Sequence, residues 1–110
     1  MQTQTEPNVF VILMILSALR YYKEKMESAT TMKIARIIPY FSKNTLQQLD
    51  LMHEWKWIST INKYGEILKS DSIPKDINGF PKKHSYIQLT DDQNKIAEIK
   101  QWMNQIMQEF

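Results

Sequence analysis

The segment from residue 9 to residue 26 constrains the fold most, because its apolar side chains cover nearly the whole circumference of a helix. Apolar residues recurring at steps of three and four over such a length predict a helix rather than a strand. A helix that is apolar nearly all round is buried on more than one side. A chain of 110 residues can form one core, which covers one side of this helix. A second chain is the simplest cover for the other side of the helix. The main stripe is Val9, Ile12, Leu13, Leu16, Leu19 and Tyr22, and Phe10, Val11, Met14, Ile15 and Tyr21 lie outside it.

The length and composition are those of one folded domain. An apolar share of 43% and a charged share of 24% argue against wholesale disorder. The absence of cysteine excludes disulfides and thiolate zinc sites, and is compatible with a reducing compartment. The apolar run at residues 9–16 is shorter than the roughly 20 residues that a membrane-spanning helix needs. No Lys or Arg precedes that run, so it is a poor signal peptide and we expect a cytoplasmic protein.

Proline and candidate capping residues divide the next part of the chain into two more helices. Pro39 ends a short second helix at residue 38, because proline disfavours the helical conformation in the residue before it. A third helix runs from residue 42 to about residue 55, with an apolar face and a polar face. The candidate N-caps are Asn8 for the first helix, Ser28, Thr30 or Thr31 for the second and Ser42 for the third.

Two β-rich segments and a last helix complete the pattern. Residues 57–63 are rich in β-branched and aromatic types and residues 85–90 alternate in polarity, so the two segments are expected to pair. The polar connection between them holds about twenty residues without a predicted element, and loops of that length are usually functional. Asp91 or Asp92 starts the final helix. The predicted fold is therefore mostly α within the α+β class, with three helices, a β-hairpin and a fourth helix in that order, which is the winged helix-turn-helix arrangement.

Three short motifs strengthen this interpretation. Residues 34–38 read IARII, residues 42–49 read SKNTLQQL, and residues 86–92 read YIQLTDD. Together they resemble the core of the small winged-helix regulators of the MarR, PadR and ArsR type, over about residues 30–95 and without selecting one of these families. The length and the order of elements predict one domain spanning residues 1–110. Its expected parts are a frayed start at 1–7, a first helix at 8–27, the helix-turn-helix at 30–56, the wing at 57–90 and the C-terminal helix at 91–110.

The third helix is the candidate DNA-reading element, because a helix fits the major groove and presents its N-terminal residues to base edges. Its polar face is expected opposite Leu46, Leu49 and Met52. Asn and Gln amides can bind adenine bidentately, Lys can reach guanine or phosphate, and hydroxyls near a helix N-terminus suit phosphate. The same pattern also fits an ordinary solvated face. The candidate DNA contacts on the two helices of this motif are Arg36, Ser42, Lys43, Asn44, Thr45, Gln47 and Gln48.

Positive charge is concentrated in the middle of the chain. Residues 32–84 carry nine Lys or Arg against five acids, although the net charge of the whole chain is only +2. A basic wing would add salt-dependent phosphate contacts beside the recognition helix. The alternative is that these cations belong to an ordinary solvated loop that binds nothing. The candidate contacts in the wing are Lys63, Lys69, Lys82, Lys83 and His84.

No catalytic, metal or cofactor site is predicted. His53 and His84 are the only histidines, no cysteine accompanies them, and no ligand spacing is present. The two glycines cannot form a glycine-rich phosphate loop. Trp55 and Trp57 are expected to pack against the core and under the wing rather than to stack on bases. An enzyme is therefore not expected.

The predicted function is sequence-specific binding of double-stranded DNA by a homodimer, most simply as a transcriptional regulator. A two-fold dimer predicts a palindromic or repeated site. Two alternatives stay open, namely a plasmid or viral DNA-partition adaptor and a winged-helix module that binds protein instead of DNA. The first and last helices are the expected dimer interface, through Phe10, Ile12, Leu13, Leu16, Leu19, Ile99, Trp102, Met103 and Ile106.

Overall fold

The computed structural model describes residues 6–37, 43–68, 73–79, 81–82 and 85–109, without the side chains of residues 35–37 and 43. These residues confirm the predicted α+β class and its excess of helix. Every predicted helix and both hairpin strands are present within a few residues of their expected bounds. The elements are α1 (Val9–Glu24), β1 (Ala29–Thr30), α2 (Thr31–Ile37), α3 (Lys43–Glu54), β2 (Ile58–Ile61), β3 (Tyr86–Leu89) and α4 (Gln93–Glu109).

The described strands form a three-stranded antiparallel sheet in the order β1-β3-β2. Ile87 lies in the middle strand, opposite Ala29 of β1 on one side and Thr60 of β2 on the other. The sequence predicts only the hairpin, because a strand of two residues is too short to show an alternating pattern. The backbone N–H of Thr31 donates to the carbonyl of Ser85 at 3.0 Å, so β1 fixes the start of α2 against β3.

The predicted caps of the first two helices are present. Asn8 caps α1, with its Oδ1 accepting from the N–H of Val11 at 3.2 Å. Of the three candidates for α2, Thr30 is the cap, since its hydroxyl accepts from the N–H of Lys33 at 3.1 Å. At its other end α1 stops before the predicted residue 27, because Met26 takes a left-handed φ of 56° and turns the chain.

The core is formed by α1 and the elements that surround it. α1 packs against α2, α3 and β3, so three of its sides are covered within one chain. Ile15 lies outside the main stripe in sequence but is only 1% exposed, because the buried arc of α1 is wider than one stripe. The core residues of the described part are Ile12, Ile15, Leu16, Leu19, Ala29, Ile34, Leu46, Leu49, Met52, Trp57, Ile58, Ile73, Ile87 and Ile99.

The connection between β2 and β3 begins with a closed turn. Asn62 Oδ1 accepts from the N–H groups of Tyr64 and Glu66, and Gly65 adopts a φ of 80° that favours glycine. The N–H of Leu68 then donates to the carbonyl of Thr60 at 2.8 Å. The first part of the predicted wing is thus a small hairpin extension of β2 rather than loop without structure.

The second described part of the connection is anchored to the core. Ile73 is 1% exposed although it lies in the polar connection. After it the chain makes another closed turn, in which the N–H of Gly79 donates to the carbonyl of Asp76 at 3.0 Å. Lys75 pairs with Pro81 across this turn in an isolated antiparallel bridge. Residues 62–68 and 73–79 therefore contain turns and bridges where the sequence predicts no regular element.

Within the described ranges, no helix combines the length and the apolar content needed to cross a membrane.

Candidate functional site

The outer side of α3 carries two uncharged amide side chains. Asn44 and Gln47 are exposed, three residues apart on the same face. Leu46 is 7% exposed, and Leu49 and Met52 are fully buried, so the predicted apolar face of α3 does point into the core. An exposed amide pair in the first turns of a helix offers both donors and acceptors to a partner.

Two residues that were predicted for the same outer face are buried instead. Thr45 is 1% exposed and Gln48 is 0% exposed, so their assignment as DNA contacts is corrected. The reason is that α3 packs against α1 as well as the rest of the core, and its buried arc therefore extends past the apolar stripe. The sequence gives no sign of this, because both residue types are usually exposed.

The amide of Gln48 has a structural role. Its Oε1 accepts from the N–H of Asn8 at 2.8 Å, and its Nε2 donates to the carbonyl of Glu6 at 3.0 Å. Nε2 also lies 3.3 Å from the Oδ1 of Asn44, to which it donates. These bonds satisfy the buried amide and hold the start of α1 against α3. They also orient the exposed Asn44 through its carbonyl oxygen.

Two of the basic residues predicted as DNA contacts in the wing are among the described residues. Lys63 is exposed in the turn after β2, with its ammonium 5.1 Å from the ring centre of Tyr64. Lys82 is also exposed, and its backbone N–H donates to the carbonyl of Pro74 at 3.0 Å. Both are accessible to a phosphate.

The side chains of Arg36 and Lys43 lie outside the described residues, as do Ser42, Lys69, Lys83 and His84 entirely. Nothing structural is added to their prediction.

Lys75, a basic residue of the same connection, binds within the chain. Its Nζ lies 2.8 Å and 2.9 Å from the two carboxylate oxygens of Asp50 on α3, and Asp50 Oδ1 also accepts from the N–H of Ile73 at 2.8 Å. This cluster fastens the wing to α3 and neutralises the charge of Asp50. No local signal in the sequence predicts it, because Asp50 and Lys75 are 25 residues apart.

His53 packs inside the protein. It is 6% exposed, and its Nε2 lies 3.0 Å from the hydroxyl of Thr60, which joins α3 to β2. No group of three or more potential metal ligands occurs among the residues that the structure describes.

The predicted dimer interface divides into buried and accessible residues. Phe10 is 67% exposed on the outer side of α1, and Leu13 is half-buried beside it. Trp102 and Met103 of α4 are also half-buried. The other five predicted residues pack within their own chain, so their assignment to an interface is corrected. The reason for the error is that periodicity identifies an apolar stripe but does not identify the partner that covers it. These five are Ile12, Leu16, Leu19, Ile99 and Ile106.

The tryptophans form one aromatic cluster. The ring centres of Trp55 and Trp57 are 4.8 Å apart, and Trp102 of α4 meets Trp57 edge to face at 5.4 Å. The indole N–H of Trp57 donates to Glu98 at 3.1 Å. Hydrogen bonds from Lys95, which has the larger effect, and from Trp57 hold the pKa of Glu98 below its ordinary value. The cluster fixes α4 to the end of α3. The predicted core packing of one tryptophan is confirmed for Trp57, whereas the described ring contacts of the pair are with α4 and not with the wing.

No protein-family model, curated protein or solved structure matches the chain.

Proposed function

We propose that the protein binds double-stranded DNA as a winged helix-turn-helix homodimer and acts as a transcriptional regulator. The observation that carries the proposal is the exposed amide pair of Asn44 and Gln47 on α3, on the side opposite the buried Leu49 and Met52. α2 precedes this helix and the hairpin β2–β3 follows it, as in the winged-helix arrangement.

In this proposal α3 enters the major groove. The amides of Asn44 and Gln47 bind the edge of adenine, where a carboxamide matches one donor and one acceptor. Gln48 contributes indirectly, by holding the carbonyl oxygen of Asn44 in place from the buried side. This leaves the amino group and the second lone pair of the carbonyl oxygen of Asn44 for the base.

The wing supplies the electrostatic part of the proposed interface. Lys63 and Lys82 are exposed cations on the connection that follows β2. Each phosphate contact of this kind releases counterions, so the affinity should fall steeply with salt. The bond between Asp50 and Lys75 supports the wing beside α3 without contributing to the positive surface.

The outer side of α1 is the proposed dimer surface. Leu13, Met14, Ala18 and Tyr21 line a shallow apolar groove there, and Phe10 is exposed near its start. Exposed aromatic and Met side chains are enriched at protein interfaces. A dimer formed in this way carries two copies of α3 and is matched to a repeated DNA site.

The test is DNA binding by charge variants of α3. Asn44→Glu with Gln47→Glu places two carboxylates on the proposed reading face, and should weaken duplex binding at low salt at least a hundredfold. The matched control is Gln101→Glu with Asn104→Glu, which makes the same two changes at the same spacing on exposed positions of α4. Fluorescence anisotropy with mixed genomic fragments at several salt concentrations measures both.

Equal affinity of the two double variants would refute the role of α3. A folded wild-type protein with no affinity for duplex DNA at low salt would refute DNA binding itself. The second candidate is then a protein-binding module, which one observation favours: Ile77 at the second turn of the wing is 99% exposed and Ile67 at the first is 64% exposed.

A further inference from the structure

A cleft of about 290 Å³ lies between α1, the end of β3 and the first half of α4. Leu16 and Ile99 form its buried floor, and Leu89, Ile96 and Met103 are half-buried around it. All of these lining residues are aliphatic or thioether side chains, without an aromatic ring. A concave aliphatic surface of this kind suits a flexible hydrocarbon chain better than a flat ring system.

The mouth of the cleft is positively charged. Arg20 and Lys23 reach it from α1, and Lys100 reaches it from α4. Lys23 is paired with Asp91 at 3.3 Å. Within the described residues no ion pair or hydrogen bond of the side chain of Arg20 or Lys100 is found. Two cations, one on each helix, are thus available to an anion, and none of the lining residues that the structure describes carries a carboxylate.

We propose that this cleft binds a free aliphatic carboxylate of medium chain length, such as a fatty acid of eight to ten carbons. The volume corresponds to roughly ten water-sized groups of about 30 Å³ each, which matches a chain of that length. The hydrocarbon lies on Leu16 and Ile99, and the carboxylate lies between Arg20 and Lys100. Charge-assisted hydrogen bonds to a carboxylate are about twice as strong as neutral ones, so the charged mouth selects an acid over an alcohol.

The inference is independent of DNA binding. It uses α1, β3 and α4, whereas the proposed DNA contacts lie on α3 and the wing. Failure of one proposal therefore leaves the other unaffected.

Calorimetric titration of the wild-type protein with decanoate, below its micelle concentration, tests the proposal. We expect saturable binding at one site per chain, and at least tenfold weaker binding of decanol. Shortening the acid from decanoate to octanoate should weaken binding by about fourfold per methylene, as for apolar groups leaving water.

Charge variants test the position of the carboxylate. Arg20→Gln with Lys100→Gln should reduce decanoate affinity at least tenfold. Lys33→Gln removes an exposed helical lysine that does not line the cleft, and should leave the affinity unchanged. Methyl NMR shifts at Leu16, Leu89 and Ile99 locate the bound chain, and circular dichroism shows whether each variant is folded.

Absence of saturable decanoate binding would overturn the proposal. So would an affinity that is the same for decanol, or that is insensitive to the loss of Arg20 and Lys100. Flotation with anionic phospholipid vesicles forms a further arm: vesicle binding without binding of free decanoate would assign these cations to a membrane surface and refute the cleft as a fatty-acid site.

Discussion

The buried amide of Gln48 holds the N-terminal end of α1, with its Oε1 accepting from the N–H of Asn8 at 2.8 Å and its Nε2 donating to the carbonyl of Glu6 at 3.0 Å. Gln48→Glu replaces that donor by an acceptor and buries a carboxylate. We expect the free energy of unfolding to fall by about 2–3 kcal/mol, measured by urea denaturation with tryptophan fluorescence. Gln47→Glu, on the exposed neighbouring position, should change it by less than about 0.5 kcal/mol. Equal effects of the two substitutions would contradict this burial.

Asp50 is expected to fasten the wing to α3. Asp50→Ala removes the acceptor for both the N–H of Ile73 and the ammonium of Lys75, each partly shielded from water. We expect a loss of about 1–2 kcal/mol in unfolding free energy. The substitution should accelerate amide hydrogen exchange at Ile73 more than at residues 58–61. Lys23→Ala breaks the more exposed ion pair with Asp91 and should cost less than about 0.5 kcal/mol. Unchanged exchange at Ile73 in Asp50→Ala would show that burial alone anchors the wing.

The carboxylate of Glu98 should make stability depend on pH in the acid range. Its pKa is lowered in the folded protein by hydrogen bonds from Lys95 and Trp57. A lowered folded pKa contributes stability that is present above the unfolded pKa and is lost as the pH falls through the folded value. The urea concentration at the unfolding midpoint should therefore decrease when the pH is lowered below the ordinary glutamate pKa of 4.5. The decrease should be smaller in Glu98→Gln. The same slope in both proteins would exclude Glu98 as the cause.

Met26 should be a site where glycine stabilises the protein. It is 95% exposed and has a φ of 56°, so its side chain gains no packing while its backbone is strained. Met26→Gly relieves this strain but also raises the entropy of the unfolded chain, and the net gain should be about 0.5–1 kcal/mol in thermal or urea unfolding. Met26→Ala removes the same side chain and keeps the strain, so it should give no comparable gain. If alanine stabilises as much as glycine, the strain at this turn is negligible.

The exposed outer side of α1 should control the oligomeric state. Phe10→Ser with Met14→Glu changes side chains that are 67% and 36% exposed, so the fold should persist while a dimer dissociates. Sedimentation at tens of micromolar should show twice the chain mass for wild type and a monomer for this variant. Ile12→Glu, in the core of the same helix, should instead unfold the chain. A monomeric wild type would refute the dimer proposal.

The sequence predicts the elements of this protein better than it predicts which residues face outwards. Caps and apolar periods are local signals, and they located α1, α2, α3 and α4 and the β2–β3 hairpin. Thr45 and Gln48 were misassigned because burial of a polar residue depends on partners from distant segments, here Asn8 and Glu6 for Gln48. The buried Leu16 was assigned to a dimer for a related reason, since an apolar period does not identify the surface that covers it.

The buried side chain of Ile73 also determines how the connection between the two hairpin strands can vary. Ile61 and Tyr86 pair across the hairpin, and Ile73 divides the connection between them into separate spans, so neither span has to close over the whole sequence from Ile61 to Tyr86. Doubling the length of a flexible loop costs only about 0.6 kcal/mol in closure entropy. The turn at Lys63 and the turn at Ile77 can therefore lengthen, shorten or accept inserted sequence independently, while the strand register between them and the hydrophobic core is preserved.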